Sequence, residues 1–289
     1  MVELLSVWIH YPFRESPWGG GNQFLRGLRS LLSSRGLLAN SMKDASVVLV
    51  NSHQLKRQIV RLAIWKSKNP ARRVVHRVDG PISLVRGQSS GLKIDRGIHQ
   101  FSKDLADATV FQSEWSAQRN KKAGARPNQS TVILNAPDPK VFFPPIEKEA
   151  SRKTRVLMAS WSPNLKKGFK TYEWVARNID KRFFDLTFVG RSPLPLPGIR
   201  VLPPMTSEAL ANEMRKHDVF LTSSRDDPCS NSLIEAIHSG LTPVALDSGG
   251  NTELVANTGF LFESTSDVLQ SLQNARERAV HSTQGIHHS

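Results

Sequence analysis

Residues 223–255 read SSRDDPCSNSLIEAIHSGLTPVALDSGGNTELV. Two acids, Asp227 and Glu235, stand eight positions apart, and the pair Gly249-Gly250 follows with Glu253 behind it. The turn-forming DDPCS precedes a helical segment that starts near Asn231 and Ser232, and TPVALD after it reads as a strand. A helix starting there directs the free backbone N–H groups of Asn231, Ser232 and Leu233, and the positive end of its dipole, at whatever lies ahead of it. Such an end holds a phosphate or diphosphate without a metal. Glu235, one turn in, offers only acceptors when ionised and so suits a vicinal diol such as a ribose. Asp227, in the loop ahead, would reach the group beyond the phosphates. Either acid alone also suits a helix N-terminus for dipole reasons, so spacing leaves both readings open.

Outward from this stretch, short β-branched runs alternate with segments of helical period, the pattern of parallel α/β layers. The C-terminal half contains RVLMAS (155–160), a helix over 169–179, DLTFVG (185–190), a helix over 207–216, DVFLTS (218–223) and, after the opening stretch, GFLF (259–262). Ahead of it, residues 137–145 hold four prolines in PDPKVFFPP, followed by charge, the composition of an interdomain linker. The N-terminal half repeats the alternation with LLSVWIH (4–10), SVVLVNS (46–52), RVVHRVD (73–79), ATVFQS (108–113) and TVILNA (131–136). Its helices are expected near 55–66, near 115–123 and after SPWGGG, where Phe24, Leu25, Leu28, Leu31 and Leu32 share a face that ends before Gly36. Two α/β domains are expected, 1–145 and 151–289. Ligands of open parallel sheets sit at the carboxyl ends of the strands. Gly19 to Gly21, Asp79, Asn135, Lys167, Asp227 and Gly249-Gly250 all follow expected strands.

With 289 residues, 39% of them apolar, the chain has the composition of a globular protein. No run approaches the roughly 20 apolar residues of a membrane span. The start MVELLSVWIHYPFRE, with Glu3, lacks the form of a signal peptide, so a cytoplasmic protein is expected. The single cysteine, Cys229, excludes an internal disulfide and a multi-cysteine metal site, and no histidine partner marks it as a nucleophile. The net charge of +14 is uneven: residues 1–150 hold 23 Lys+Arg against 11 Asp+Glu, a net +12, which leaves +2 for the rest. Such an excess attracts phosphate-rich or otherwise anionic partners, or is simply a solvated surface. An anionic membrane face is the candidate partner, through Lys56-Arg57, Arg72-Arg73 and Lys121-Lys122. No nucleic acid is expected.

The acid, the seven residues after it and the glutamate, followed by GLTPVALDSGGNTELV, resemble the signature of the retaining GT-B glycosyltransferases of family 4. PWGGGNQFLRGLRSLLSSRG is similar to the family's N-terminal glycine loop and helix, and DATVFQSEWSAQR to its serine-bearing strand turn. VILNAPDPKVFFP resembles its asparagine-bearing strand, and SWSPNLKKGFKTYEWV its Lys-Gly loop. The last 25 residues match no part of it. The resemblance implies an α/β GT-B fold, two Rossmann-like domains with parallel sheets facing across a cleft, the first on the acceptor side and the second binding the donor. It implies a hexosyltransferase-like, metal-independent enzyme with no cofactor beyond its donor substrate, a nucleotide diphosphate sugar. The acceptor would be a glycan or lipid-linked hydroxyl in cell-surface polysaccharide synthesis, and the protein peripheral at the inner membrane face. Retention would proceed by front-face attack, the leaving phosphate taking the acceptor proton.

By this resemblance Lys167 binds the donor diphosphate, Glu235 the ribose, and Asp227 with the PCSNS loop the sugar. Asp227 stands where glutamate is usual. The arginine that commonly precedes the Lys-Gly pair is absent; Ser160 to Asn164 take its place, and Arg191 or Lys166 are the candidate substitutes, Lys166 being read as a solvated surface residue. Where the family places a histidine, period-two alternation puts His76 inside a strand with Val74 and Val78, so Asp79 at the crevice end joins Lys167 and Asp227 as a catalytic candidate, with His76 as second choice for its role and turn capping as the alternative. Gly20 and Gly21 allow a close backbone approach to a phosphate or the acceptor. A non-catalytic GT-B-like module that binds an anionic polymer or partner is the alternative reading, with an epimerase or phosphorylase on the same architecture behind it.

Overall fold

The computed structural model describes residues 5–15, 19–52, 59–87, 89–147 and 151–284. The chain divides into two compact units, Met1–Arg14 with Phe24–Asn135, and Glu15–Gln23 with Ala136–Ser289.

The first unit contains a parallel sheet of β1 (Val7–His10), β2 (Val47–Asn51), β3 (Arg73–Val78), β4 (Ala108–Phe111) and β5 (Ser130–Val132), ordered as in the chain. Its helices are α1 (Gly20–Ser34), which begins in residues of the other unit, α2 (Ile59–Ser67), α3 (Ile82–Arg86), α4 (Gly91–Asp104) and α5 (Glu114–Lys122). One sheet face is closed: Val48, Val50 and Val74 pack with Leu62 and Trp65 of α2 and Phe101 of α4. On α1 only Leu25 of the expected apolar face is buried, and Leu31 is exposed. The strand expected over 131–136 stops at Val132, with Ile133 and Leu134 exposed. Helix α4 buries Asp95, His99 and Ser102 beside the apolar Ile98 and Phe101. Asp95 accepts from the N–H groups of Ile82 (2.6 Å) and Ser83 (3.1 Å) at the start of α3, so a polar residue does the work of a core contact.

The second unit contains β6 (Thr154–Ser160), β7 (Phe184–Gly190), β8 (Arg200–Leu202), β9 (Val219–Thr222), β10 (Thr242–Leu246) and β11 (Phe260–Phe262), with α6 (Phe169–Asn178), α7 (Ser207–Met214), α8 (Asn231–His238), α9 (Asn251–Val255) and α10 (Val268–Gln284). All pairs are parallel and the order is β11-β10-β9-β6-β7-β8. Counted from β6, this is the doubly wound order of dinucleotide-binding folds, and it reverses between β6 and β9. Two apolar layers flank the sheet. One packs Phe169, Tyr172 and Val175 of α6 with Leu272 of α10; the other packs Leu233 and Ala236 of α8 with Met214 of α7 and Phe142 from the proline-rich stretch. Residues 136–145, placed by composition in the first domain and the linker, fall in this unit, with Phe142 buried in its core.

Candidate functional site

In a doubly wound sheet, successive connections leave in opposite directions at the reversal, which opens a crevice at the strands' carboxyl ends. Here the loops there are Trp161–Gly168 after β6 and Ser223–Ser230 after β9. They line a cavity of about 240 Å3 with Ser160, Gly190, Pro204, Met205, Gly19, Gly20 and the first turn of α8.

The Lys-Gly loop is a 3-10 turn, Leu165–Lys167, which Asn164 caps by accepting from the Lys166 N–H at 3.0 Å. Gly168 ends it with φ +85°, and a Cβ there would collide with Ser223, so only glycine joins this turn to α6. Lys167 Nζ donates to Asp227 Oδ2 at 2.7 Å, and beside it Lys166 Nζ donates to Asp226 Oδ2 at 2.7 Å. Lys166, expected from the sequence to be a solvated surface residue, is instead held in an ion pair. The acid loop is pinned from its other side by the glycine turn. Gly250 N–H donates to the Asp227 carbonyl at 2.8 Å, and a Cβ on Gly249, φ +70°, would strike the Asp227 backbone. This is the structural reason for the glycine pair quoted first. Glu253, in α9, does not line the cavity.

Helix α8 starts at Asn231 after Ser230, whose side chain makes no capping bond. Asn231, Ser232 and Glu235 line the cavity, whereas Leu233 is fully buried in the core and does not line it. Gly20 packs so closely on Asn231 that a Cβ would overlap its side chain; a Cβ on Gly21 would meet nothing, and Gly21 does not line the cavity. Glu235 is 9% exposed, and its carboxylate has no hydrogen-bond partner among the described residues. Burial pushes its pKa up to about 8. An acid in that position costs stability unless something donates to it.

Arg191 does not line the cavity; its guanidinium lies 4.3 Å from the centroid of the Trp161 ring, which does. Sequence reasoning missed the apolar wall of Val189, Pro204, Met205 and Leu210. The signal, RVLPPM (200–205), was a strand of only three residues before two prolines.

Asp79 lies in the first unit, just past β3, in a different setting. Its Oδ1 accepts from Gln112 Nε2 and, at 3.4 Å, from Arg77 Nη1, and Asn120 Nδ2 donates to its carbonyl at 2.9 Å. Arg77 is buried over the Phe24 ring at 4.4 Å, bonds Asn51 Oδ1, and donates to Asn135 Oδ1 at 2.7 Å. Asn135 Nδ2 in turn donates to Gln112 Oε1 at 3.0 Å. The Asp79 side chain is 35% exposed. His76 is fully buried, bonded to Ser102 Oγ at 2.8 Å and the Ser52 carbonyl at 2.9 Å, and burial lowers its pKa to about 4. It is a neutral core histidine. Cys229 is buried and, as the single cysteine, forms no disulfide within the chain. Among the described residues no group of three or more His, Cys, Asp or Glu is placed to hold a metal ion.

Residues 153–279 match the family model of the glycosyl transferases group 1. No curated protein sequence matches the chain. Among solved structures, the chain is similar to Anabaena Alr3699/HepE in complex with UDP, at a TM-score of 0.68 and 16% identity over 97% of this chain and 91% of that one. It is also similar to WaaG, a glycosyltransferase involved in lipopolysaccharide biosynthesis, at 0.64 and 14% over 94% and 90%. A sucrose-phosphate synthase from Thermosynechococcus elongatus gives 0.63 and 16% over 89% and 72%. At such identities the likeness establishes the fold alone. Two parallel-sheet α/β units of the GT-B fold are present, and the residues lining the cavity, apart from Gly19, Gly20 and Gln23, lie in the part that matches the glycosyl transferases group 1.

Proposed function

We propose that the protein is a retaining, metal-independent glycosyltransferase of family 4 type that moves a sugar from a nucleoside diphosphate sugar to an acceptor hydroxyl. The observation that carries this reading is Glu235: a buried carboxylate without a donor, one turn into a helix whose first N–H groups lack a side-chain cap, in one cavity with Lys167. A ribose diol donates to Glu235, the diphosphate meets the start of α8 and Lys167, and the apolar wall takes the base. As the bond from the anomeric carbon to the diphosphate oxygen breaks, the acceptor oxygen bonds that carbon on the same face and its proton passes to the leaving phosphate. Lys167 and the N–H groups of Asn231, Ser232 and Leu233 stabilise the growing charge. Gly20 shapes the cavity wall through Asn231. Arg191 holds Trp161 by stacking, and a second phosphate contact from its guanidinium belongs to this proposal; Gly21 is proposed only as part of the backbone approach. Asp79 is proposed to orient the acceptor.

Isothermal titration of the chain with UDP, ADP and GDP tests the reading: one of them should bind, and Glu235→Ala should abolish that binding while the melting temperature persists. Absence of binding by all three would refute it and favour a non-catalytic GT-B-like module.

The acceptor is proposed to be a glycan or lipid-linked hydroxyl in polysaccharide synthesis, with the first unit resting on an anionic membrane face from the cytoplasmic side. Val60 and Ile64 of α2 are 72% and 53% exposed, and Lys121, Lys122 and Arg73 are exposed as well. Arg72 supports this less: its guanidinium lies 4.9 Å from the centroid of Trp65 and bonds the Trp65 carbonyl at 2.6 Å. Lys56-Arg57 lie outside the described residues. No described helix is long and apolar enough to cross a membrane.

A further inference from the structure

We propose that Asp227 is a positioning residue, the counter-ion of Lys167, which loosens the site's hold on a nucleoside diphosphate instead of gripping the transferred sugar. This rests on the donor-binding reading above.

Both carboxylate oxygens of Asp227 already have protein donors: Oδ2 takes Lys167 Nζ at 2.7 Å and Oδ1 the Cys229 N–H at 3.3 Å. Its side chain is 11% exposed, against 32% for Lys167, so the pair is held partly out of water, where charges interact more strongly. Three hydrogen bonds tie the backbone that carries the carboxylate. Asp226 N–H donates to Ser248 Oγ at 3.1 Å, Gly250 N–H to the Asp227 carbonyl at 2.8 Å, and Arg225 N–H to the Lys166 carbonyl at 2.8 Å. With the parallel Lys166–Asp226 pair at 2.7 Å, two successive ion pairs join the Lys-Gly loop to the acid loop.

Lys167 is the one lysine or arginine among the described lining residues. Its charge is balanced by Asp227, and Glu235, raised by burial, adds little negative charge at neutral pH. A diphosphate entering this cavity must take the ammonium with Asp227 still beside it, and the carboxylate opposes the incoming anion. The same carboxylate fixes the direction of the lysine before the donor arrives, so less side-chain freedom is lost on binding. When the glycosidic bond breaks, charge accumulates on the leaving diphosphate and the ammonium shifts toward it. After transfer, Asp227 competes for the ammonium and favours release. Asp227 thus trades affinity for turnover.

The test is titration of the full chain with UDP, ADP and GDP for wild type, Asp227→Asn and Asp227→Ser, with a thermal melt of each to show that it folds. The serine variant guards against an asparagine that misfolds. Both variants should bind the preferred nucleoside diphosphate about three- to tenfold tighter than wild type, the effect of removing one nearby like charge. With the matching nucleotide sugar, kcat and KM should fall together. Unchanged or weaker binding of the nucleoside diphosphate, with affinity lost only for the nucleotide sugar, would overturn the proposal and leave Asp227 a sugar ligand. If wild type binds none of the three, the donor reading itself fails and the proposal with it.

Discussion

The two sheets use their strands differently. In the second unit β9 is buried at all four positions and the strand order reverses between β6 and β9. In the first unit the order never reverses, and β4 alternates between half-buried and buried residues. The polar groups at the strand ends differ in the same sense. Around Arg77 the amides of Asn51, Gln112 and Asn135 and the carboxylate of Asp79 satisfy one another, so that cluster is complete without a ligand. At the reversal, Glu235 lines the cavity, and its carboxylate has no hydrogen-bond partner among the described residues. A carboxylate held mostly out of water without a protein donor gains from one that a ligand supplies, so the cavity at the reversal is the one poised for a ligand. The complete cluster presents only the outer edge of Asp79.

The largest effect that separates the two regions is expected at Lys167. Lys167→Ala should lower turnover about 100- to 1000-fold, as loss of a transition-state charge partner does, while nucleotide affinity changes far less. Steady-state kinetics beside titration checks this; affinity lost with turnover unchanged would make Lys167 a ground-state ligand only.

Next is Arg77. Arg77→Met leaves the amides of Asn51 and Asn135 and the carboxylate of Asp79 without their common donor. It should destabilise the protein by about 3 kcal/mol in urea unfolding, with nucleotide binding retained in the folded fraction. A neutral outcome would mean that the cluster is solvated in solution.

Glu235→Gln sharpens the comparison from the other side. The folded pKa near 8 lies above the ordinary glutamate value of 4.5, so the unfolded chain loses this proton first. Wild-type stability should therefore fall as pH rises from about 4.5 to 8, by up to ~1.4 kcal/mol per pH unit, and level off above that. Glu235→Gln should lack this slope and melt higher than wild type at pH 8 in the absence of nucleotide. The smallest effect is expected at Asp79. Asp79→Asn keeps an oxygen for Gln112 and should change stability by under about 1 kcal/mol, while raising the KM for the acceptor only.

Much of the second unit is legible in the sequence because β6, β9 and β10 carry apolar runs and α6 buries a single stripe. The stretch over 223–255 shows both acids and the glycine turn, and the structure brings Lys167, Asp227, Asn231, Ser232, Glu235 and Gly20 to one cavity. What the sequence hides has physical causes. Helix α4 buries Asp95 and His99 where a pattern reader seeks leucine. The three-residue β8 is too short for period-two alternation, and with it goes the wall at Pro204 and Met205. The stacking of Arg191 on Trp161 joins residues far apart in the chain, and no local pattern encodes it. Nor does spacing reveal that Asp227 faces the lysine.

The central claim is that an acceptor-only carboxylate at position 235 meets a nucleotide diol, and proton release on binding tests it most directly. At pH 7 the empty site holds Glu235 mostly protonated; a diol that donates to the ionised form must expel that proton. Titration of the preferred nucleoside diphosphate in buffers of different ionisation enthalpy should show release of about one proton per nucleotide bound by wild type and none by Glu235→Gln. Binding without proton release in wild type, or the same release in the glutamine variant, would contradict the account.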